Sequence, residues 1–547
     1  MESSDLQSQR LDHLGIVAGI CNEIGLIEEI DEQIGPNERK VSVGQAVQAL
    51  VINALGFVSR PLYLTPEFFE NKPVDLLVGA GIAAADLNDD CLGRALDALF
   101  QYGITELFAA ISRRALRVYG IETRYAHLDN TTFSLHGEYA VDDQAEKAEE
   151  ALMPIEITHG YSRDHRPDLK QAVMSLICAN SASLPTWMEA LSGNTADNRS
   201  FRDTIQAYLK QFGADEQMPV LVADAALYAE KTLQTLPEDT RWLTRVPGTL
   251  ALVKTIYTKI DNDDLFVADE HTRYAEMGSY YASIPQRWLL ILHEPSRQRQ
   301  EATLEKHVEK ERTQTEKALQ HLMNKDYGCE DAICKAVNAL RAKWQYHEVL
   351  LTIRTETRYE QRGRPTAETP AHQVWCFQAQ LVEDEARLDA IHRTQGKYVI
   401  ATNVLNDQEL ALSEMLAIYK EQSTSVERGF RFLKDPLFFA HSLFLKKPSR
   451  IMALLMVMGL SLLIYALAEH QIRQQLADRD ETIPNQTGQP TQRLTARRMF
   501  QMLEGIDVLI VEQAGIRRTL ILNLTDLRKH ILSLFSPHVR IIYHLTE

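Results

Sequence analysis

Apolar residues recur at helical spacing from Val43 to Leu55, which predicts a helix with Ser42 as its N-cap and Gly56 at its end. A further helix opens at Asn88-Asp-Asp with an acidic first turn. Residues 1 to about 115 read as helices, a compact domain that is either structural or DNA-binding. Near residue 120 the period shortens. Strands are expected at 123–133, 153–160 and 171–179, separated by Gly, Pro and Asn/Asp clusters. A helix at 198–213, a short buried strand at 219–224, a helix at 227–236 and a strand at 240–246 follow. Three strands in a meander, then helix, strand, helix, strand, is the ribonuclease-H order. The expected fold is α/β: a ribonuclease-H-like core of mixed sheet with flanking helices.

The pattern is then interrupted. Ser279–Pro285 and Trp288–His293 are strand-like, and 297–345 is dense in helix-forming Glu, Lys, Arg, Gln and Ala, broken at Asp326-Tyr-Gly328. Strand-like patterns return at 346–358 and 373–383. Two charged helices among strands mark an insertion, the helical hairpin being a solvated or partner-facing arm. A strand at Tyr398–Asn403, a helix pair over Ser413–Lys434 and an apolar helix at 449–475 come next. The expected domains are 1–118 (helical), 119–248 (first part of the core), 249–396 (insertion), 397–477 (second part of the core) and 478–547. The last is a linker, 478–492, and a small unit that is strand-like at Ile506–Val511 and Val539–His544.

One segment complicates this picture. Ile451–Ala468 is 18 residues without charge, between Arg450 and Glu469, the lower limit for crossing a bilayer. A fully buried helix of a large α/β domain has the same composition, and that reading is preferred. The alternative is a helical, membrane-associated interaction protein. Met-Glu-Ser-Ser-Asp at the start has neither a basic nor an apolar signal region. The six cysteines include no C-x-x-C pair and read as reduced. A cytoplasmic protein that avoids the membrane is expected.

Net charge is −17, from 58 Lys+Arg against 75 Asp+Glu. That argues against a general coat of DNA affinity but leaves room for a local basic groove, because distribution sets the field. Basic clusters stand at Lys446-Lys447 with Arg450, Arg497-Arg498, Arg517-Arg518 and Arg528-Lys529-His530. The turn His159–Asp168 carries Arg163, His165 and Arg166, suited to a phosphate; a bare hairpin tip has the same composition.

The candidate chemistry lies in three acids. Arg124-Tyr-Ala-His-Leu-Asp129 and Pro219-Val-Leu-Val-Ala-Asp224 each run an apolar strand into an aspartate, and Glu427 sits on a helix much farther along. Carboxylates at the ends of buried strands require a neutralising cation. Three together make an oxygen-rich site for Mg²⁺ or Mn²⁺, and a pair of such ions suits phosphoryl transfer on nucleic acid. Arg431 and Lys434, four and seven residues after Glu427, share its helix face, and Arg428 adjoins it. Trp242 and Trp375 are core residues or stacking platforms for an unpaired base.

The segments Val426-Glu427-Arg-Gly-Phe-Arg-Phe-Leu-Lys434, Tyr125-Ala-His-Leu-Asp129-Asn-Thr-Thr, His159–Asp168, Ser192-Gly-Asn-Thr and Trp242-Leu-Thr-Arg-Val-Pro resemble a DDE transposase of a bacterial insertion sequence. The branch most similar is the "IS sixteen-thirty-four" type of the "IS four" superfamily. The resemblance implies catalytic and metal-ligating Asp129, Asp224 and Glu427 with two Mg²⁺ (or Mn²⁺) ions. It implies hydrolysis and strand transfer at the terminal inverted repeats of a double-stranded element and on target DNA. It also implies a homodimer when two ends are synapsed, and a nucleoid-associated location in a bacterial cytoplasm. Lys434 matches the lysine of the superfamily's Tyr-Arg-Glu-Lys signature. Its arginine position holds Ser423, and Tyr419 lies one residue farther from Glu427 than the signature places it, so Arg428 and Arg431 are the candidate substitutes for phosphate contact. An inactive relic or a DNA nuclease is the rival enzyme reading.

Overall fold

The computed structural model describes the chain except residues 1–4, 36–38, 59–61, 138, 140–152, 163–165, 180–183, 196, 214–215, 360–369, 436–444, 514–515 and 546–547. Within elements, the side chains of 5, 62, 197–200, 422–427, 512–513 and 516–517 are also outside the description. The chain forms two compact units, residues 1–244 with 406–547, and residues 245–405.

The first unit is organised by the helix Pro448–Asp478. It is the segment long and apolar enough to cross a membrane, yet 89% of its apolar window is buried inside the protein. The helices Leu14–Glu23, Val43–Leu55, Asp89–Tyr102 and Ile104–Val118 pack against it, as does the strand Leu184–Ser192. One hydrophobic core therefore continues from the N-terminal helices through this helix to Phe133 and Met174 of the sheet. Local signals set the helix starts. Ser42 Oγ accepts from Gln45 N at 3.1 Å and Gln45 Oε1 accepts from Ser42 N at 3.0 Å, a reciprocal cap. Asn88 Oδ1 accepts from Cys91 N at 3.0 Å.

The sheet of this unit runs, in spatial order, Leu184–Ser192, Lys170–Ala179, Tyr125–Leu135, Val220–Ala223, Trp242–Val246. The first three pair antiparallel and the last two junctions are parallel, so the sheet is mixed. The third strand of the meander is Leu184–Ser192, not 153–160 as expected. The latter segment contributes only an isolated bridge, Thr158 to Gln171. Pro185 weakens the strand signal of 184–192, and a proline is tolerated there because the strand lies at the sheet edge.

The two ends of the chain meet. Asp5–Arg10, expected to be helical, is a strand paired antiparallel with Asp507–Gln513, which pairs in turn with Ile516–Leu522. Residues 539–544, expected to be strand-like, are instead mostly helix: Pro537–Ile542 starts with proline in its first turn. This helix packs on Leu14–Glu23. A Cβ on Gly19 would lie 2.6 Å from the Val539 Cα, so the approach requires glycine. Tyr543 is fully buried and its hydroxyl donates to the Asp12 carbonyl at 2.6 Å. The C-terminal segment is thus part of the first unit, because an unpaired hairpin edge and an apolar helix face both need cover. The helix pair expected at 413–434 is a single helix, Leu412–Leu433.

The second unit holds four antiparallel strands in the order Lys397–Thr402, Ile284–His293, Thr272–Tyr281, Phe266–Asp269. It also holds the helices Glu294–Met323 and Glu330–Arg341 and the hairpin His347–Tyr359 with Ala371–Glu383. Ile333, Val337 and Phe377 form a small core there.

Candidate active site

Side chains alternate along a strand, so Tyr125, His127 and Asp129 share one face of Tyr125–Leu135. The parallel junction pairs His127 with Val222 and Leu128 with Ala223. Asp129 and Asp224 are the next residues on their strands. They stand side by side at a strand spacing of about 4.8 Å. Asp224 lies just past the end of Val220–Ala223, and Asp129 is in mid-strand opposite Leu176, since its strand runs on to Leu135 instead of ending at the aspartate as expected. Each carboxylate is oriented by a local N–H: Asp129 Oδ1 accepts from Asn130 N at 2.7 Å and Asp224 Oδ1 from Ala226 N at 2.9 Å. Thr244 on the next strand donates to the Asp224 carbonyl at 2.6 Å, which holds the strand end in place. Asp129 is half-buried and Asp224 exposed.

Beneath the pair the environment is apolar. His127 is fully buried, and neither ring nitrogen has a hydrogen-bond partner among the described residues. Burial lowers its pKa to about 4, so the imidazole is neutral. Cys178, opposite His127 in the neighbouring strand, is held as a thiol by burial and, secondarily, by the charge of Asp129.

The helix Leu412–Leu433 lies across this sheet, packed on the strands Tyr125–Leu135, Lys170–Ala179 and Val220–Ala223. Its first turn is tied to the start of the Asp129 strand. The Tyr125 hydroxyl donates to Glu414 Oε1, and Arg124 Nη1 pairs with the same oxygen at 2.9 Å. Burial, then the Glu414 hydrogen bond and charge, raise the Tyr125 phenol well above its ordinary range. Glu427 sits toward the other end of this helix; its side chain lies outside the described residues.

The other expected site residues divide. Arg431 is exposed and makes no ion pair among the described residues. Lys434 caps the helix, half-buried, and Tyr419 is half-buried two turns before Glu427. Arg428 is bound within the protein, its Nη2 donating to both Glu469 oxygens, at 2.6 Å to Oε2. Arg166 pairs with Asp168 at 2.9 and 2.7 Å on the surface. Arg163 lies outside the described residues. Trp242 is a core residue, 1% exposed and edge-on to Tyr228. Trp375 belongs to the hairpin of the second unit, beside its small core.

Beside the Glu427 helix is a cavity of about 320 Å³ that the linear pattern did not disclose. Arg428, Arg431, Arg473 and Arg497 surround it with Phe57, Phe432 and Tyr465. Arg497 stacks over the Phe57 ring at 5.5 Å, and Phe57 itself has a φ of 53°. The arginines come from three distant segments, so no local spacing could have grouped them.

The donor set fits a hard divalent cation. Two carboxylates on adjacent strands repel each other unless a cation lies between them, and Asp224 has no cationic partner among the described residues. Among the described residues, no three His, Cys, Asp or Glu side chains form a metal site; the Glu427 side chain lies outside them.

Residues 126–464 match the family model of the transposase DDE domain, and residues 6–113 match a domain of unknown function (DUF4277). No curated protein matches the chain. Among solved structures, the cryo-EM structure of a piggyBac transposase synaptic complex with hairpin DNA is similar over 91% of this chain and 82% of that one, at 8% identity and a TM-score of 0.37. A likeness that weak carries no argument about the site.

Proposed function

The chain belongs to the DDE transposase family, and on that premise we propose that Asp129, Asp224 and Glu427 are the acids its DDE domain contributes to DNA cleavage and strand transfer. The protein is a DNA transposase, a nucleic-acid-processing enzyme of a family that uses divalent metal ions. The observation that carries the residue assignment is the parallel register that sets Asp129 and Asp224 side by side. The helix bearing Glu427 packs on those two strands, which supports it as the third ligand.

The proposed ions are two, Mg²⁺ or Mn²⁺; when bound, they lower the pKa of the attacking water and stabilise the leaving 3′ oxygen. Asp129, Asp224 and Glu427 would hold these ions. Arg431 and Lys434 hold DNA phosphates as charge partners. The sheet is read as a ribonuclease-H-like core interrupted by residues 245–405 as an insertion. The strand order in the first unit supports that reading. The segment around Glu427 supports the "IS sixteen-thirty-four" branch. DNA-end recognition by the helical N-terminal domain, a homodimer in the synapsed state and a bacterial cytoplasmic, nucleoid-associated location complete the proposal.

Incubation of the purified protein and Mg²⁺ with a labelled duplex carrying the element's terminal repeat should give a cut at the repeat end, then joining to target DNA. Cutting without joining would make the protein a nuclease, and no cutting would make it a relic.

A further inference from the structure

Glu469 is the first charge after the apolar stretch of Pro448–Asp478, and only 6% of it is exposed. A buried carboxylate is destabilising unless its oxygens are fully engaged. Those of Glu469 are: Arg428 Nη2 reaches both, Arg473 Nη2 lies 2.8 Å from Oε1, and the Ala496 N–H donates to Oε2 at 2.9 Å. Ala496 opens the helix Ala496–Met502, so one carboxylate joins three segments.

The first of these segments is the Glu427 helix, gripped one residue after the glutamate. Two further contacts lie alongside. A Cβ on Gly429 would stand 3.0 Å from Leu462 Cδ2, so the helices cross closely there. Phe432 packs on Tyr465 with ring centroids 4.3 Å apart and planes tilted by 31°. Residues 428, 429 and 432 thus meet 469, 462 and 465, all on one face of the long helix. Rotation or sliding of the Glu427 helix would break the ion pair and leave Glu469 buried with a partner missing, an outcome that strongly resists slippage.

We infer that Glu469 is a positioning residue: through Arg428 it sets the rotation and axial position at which Glu427 is presented to the metal ions. This rests on the reading of Glu427 as a ligand given above. Outer-shell groups that orient a ligand commonly govern metal affinity by 10–100-fold.

The test uses the full-length protein with E469Q, R428Q and E427Q. Mn²⁺ binding to the protein–DNA complex is followed by paramagnetic resonance, amide hydrogen exchange is read along 412–433, and cleavage is titrated with Mg²⁺. E469Q and R428Q should bind Mn²⁺ about 10–100-fold more weakly. Exchange should quicken over 412–433, and the Mg²⁺ needed for half-maximal cleavage should rise, with DNA-end affinity retained. Unchanged Mn²⁺ affinity in both variants overturns the inference, whatever happens to thermal stability. Where E469Q does not fold, R428Q, whose side chain is half-exposed, decides. Wild-type Mn²⁺ binding by E427Q would instead remove the ligand reading itself.

Discussion

Leu128 and Ala223 are direct partners across a parallel strand junction, so Asp129 and Asp224, each the next residue along the chain, are adjacent in the middle of the sheet, where the Val220–Ala223 strand ends. Two carboxylates so placed suit a shared divalent cation. D129N and D224N should each lower Mg²⁺-dependent end cleavage by more than the about 100-fold that loss of an outer-shell partner produces. DNA-end binding without metal should persist. A variant that cleaves at the wild-type rate removes its residue from the site.

The cations after Glu427 differ in their commitments. Arg431 is exposed, Lys434 caps the helix, and Arg428 is held by Glu469. R431Q and K434Q should each reduce the slope of log K against log salt for DNA-end binding by about 1. R428Q should leave that slope in place. Fluorescence anisotropy between about 50 and 200 mM salt measures it; a lowered slope for R428Q alone would reverse the assignment.

His13 lies where the chain ends meet. Its Nε2 donates to the Leu55 carbonyl at 2.8 Å and its ring stacks on Phe500 at 4.3 Å. Burial lowers its pKa below the ordinary 6.5, an effect only partly offset by the Leu55 bond. A lowered folded-state pKa means that the unfolded chain takes the proton more readily. The stability His13 contributes is complete above pH 6.5 and is lost as pH falls below it. The unfolding free energy from urea titrations should fall for the wild type between pH 7 and pH 5, by up to about 1.4 kcal/mol per pH unit from this group. H13Q should show a shallower fall; parallel losses would show that other groups carry the pH dependence.

Tyr543 fills a buried site against the helix Leu14–Glu23. Y543A should destabilise the first unit by about 3–5 kcal/mol through the cavity it leaves. Y543F, which keeps the ring but loses the hydroxyl's bond to Asp12 and its backbone contacts with Gly15 and Ile16, should lose about 1 kcal/mol. Equilibrium denaturation compares the two. Equal, small losses would mean that the C-terminal segment is not integral to the fold.

The legible parts of this protein were those with local cause. The apolar run at 451–468 and the two apolar strands that carry or precede Asp129 and Asp224 hold their burial in consecutive residues, and Ser42 and Asn88 carry their caps within four. The misread parts had ambiguous local signals. Pro185 hid an edge strand, and alternation at Val539–His544 outweighed the Ser536-Pro537 helix start. Asp5–Arg10 has no apolar alternation of its own and is a strand because Asp507–Gln513 offers an open edge.

What the linear order determined is therefore most of the elements, because strand and helix periodicity act over a few residues. Tertiary structure alone decided that the chain's ends share one sheet. It alone gathered Arg428, Arg473 and the Ala496 amide on Glu469, and turned a span long enough for a membrane into the centre of a protein core. Such contacts join segments far apart along the chain, and burial, which leaves no trace in local spacing, is what selects them.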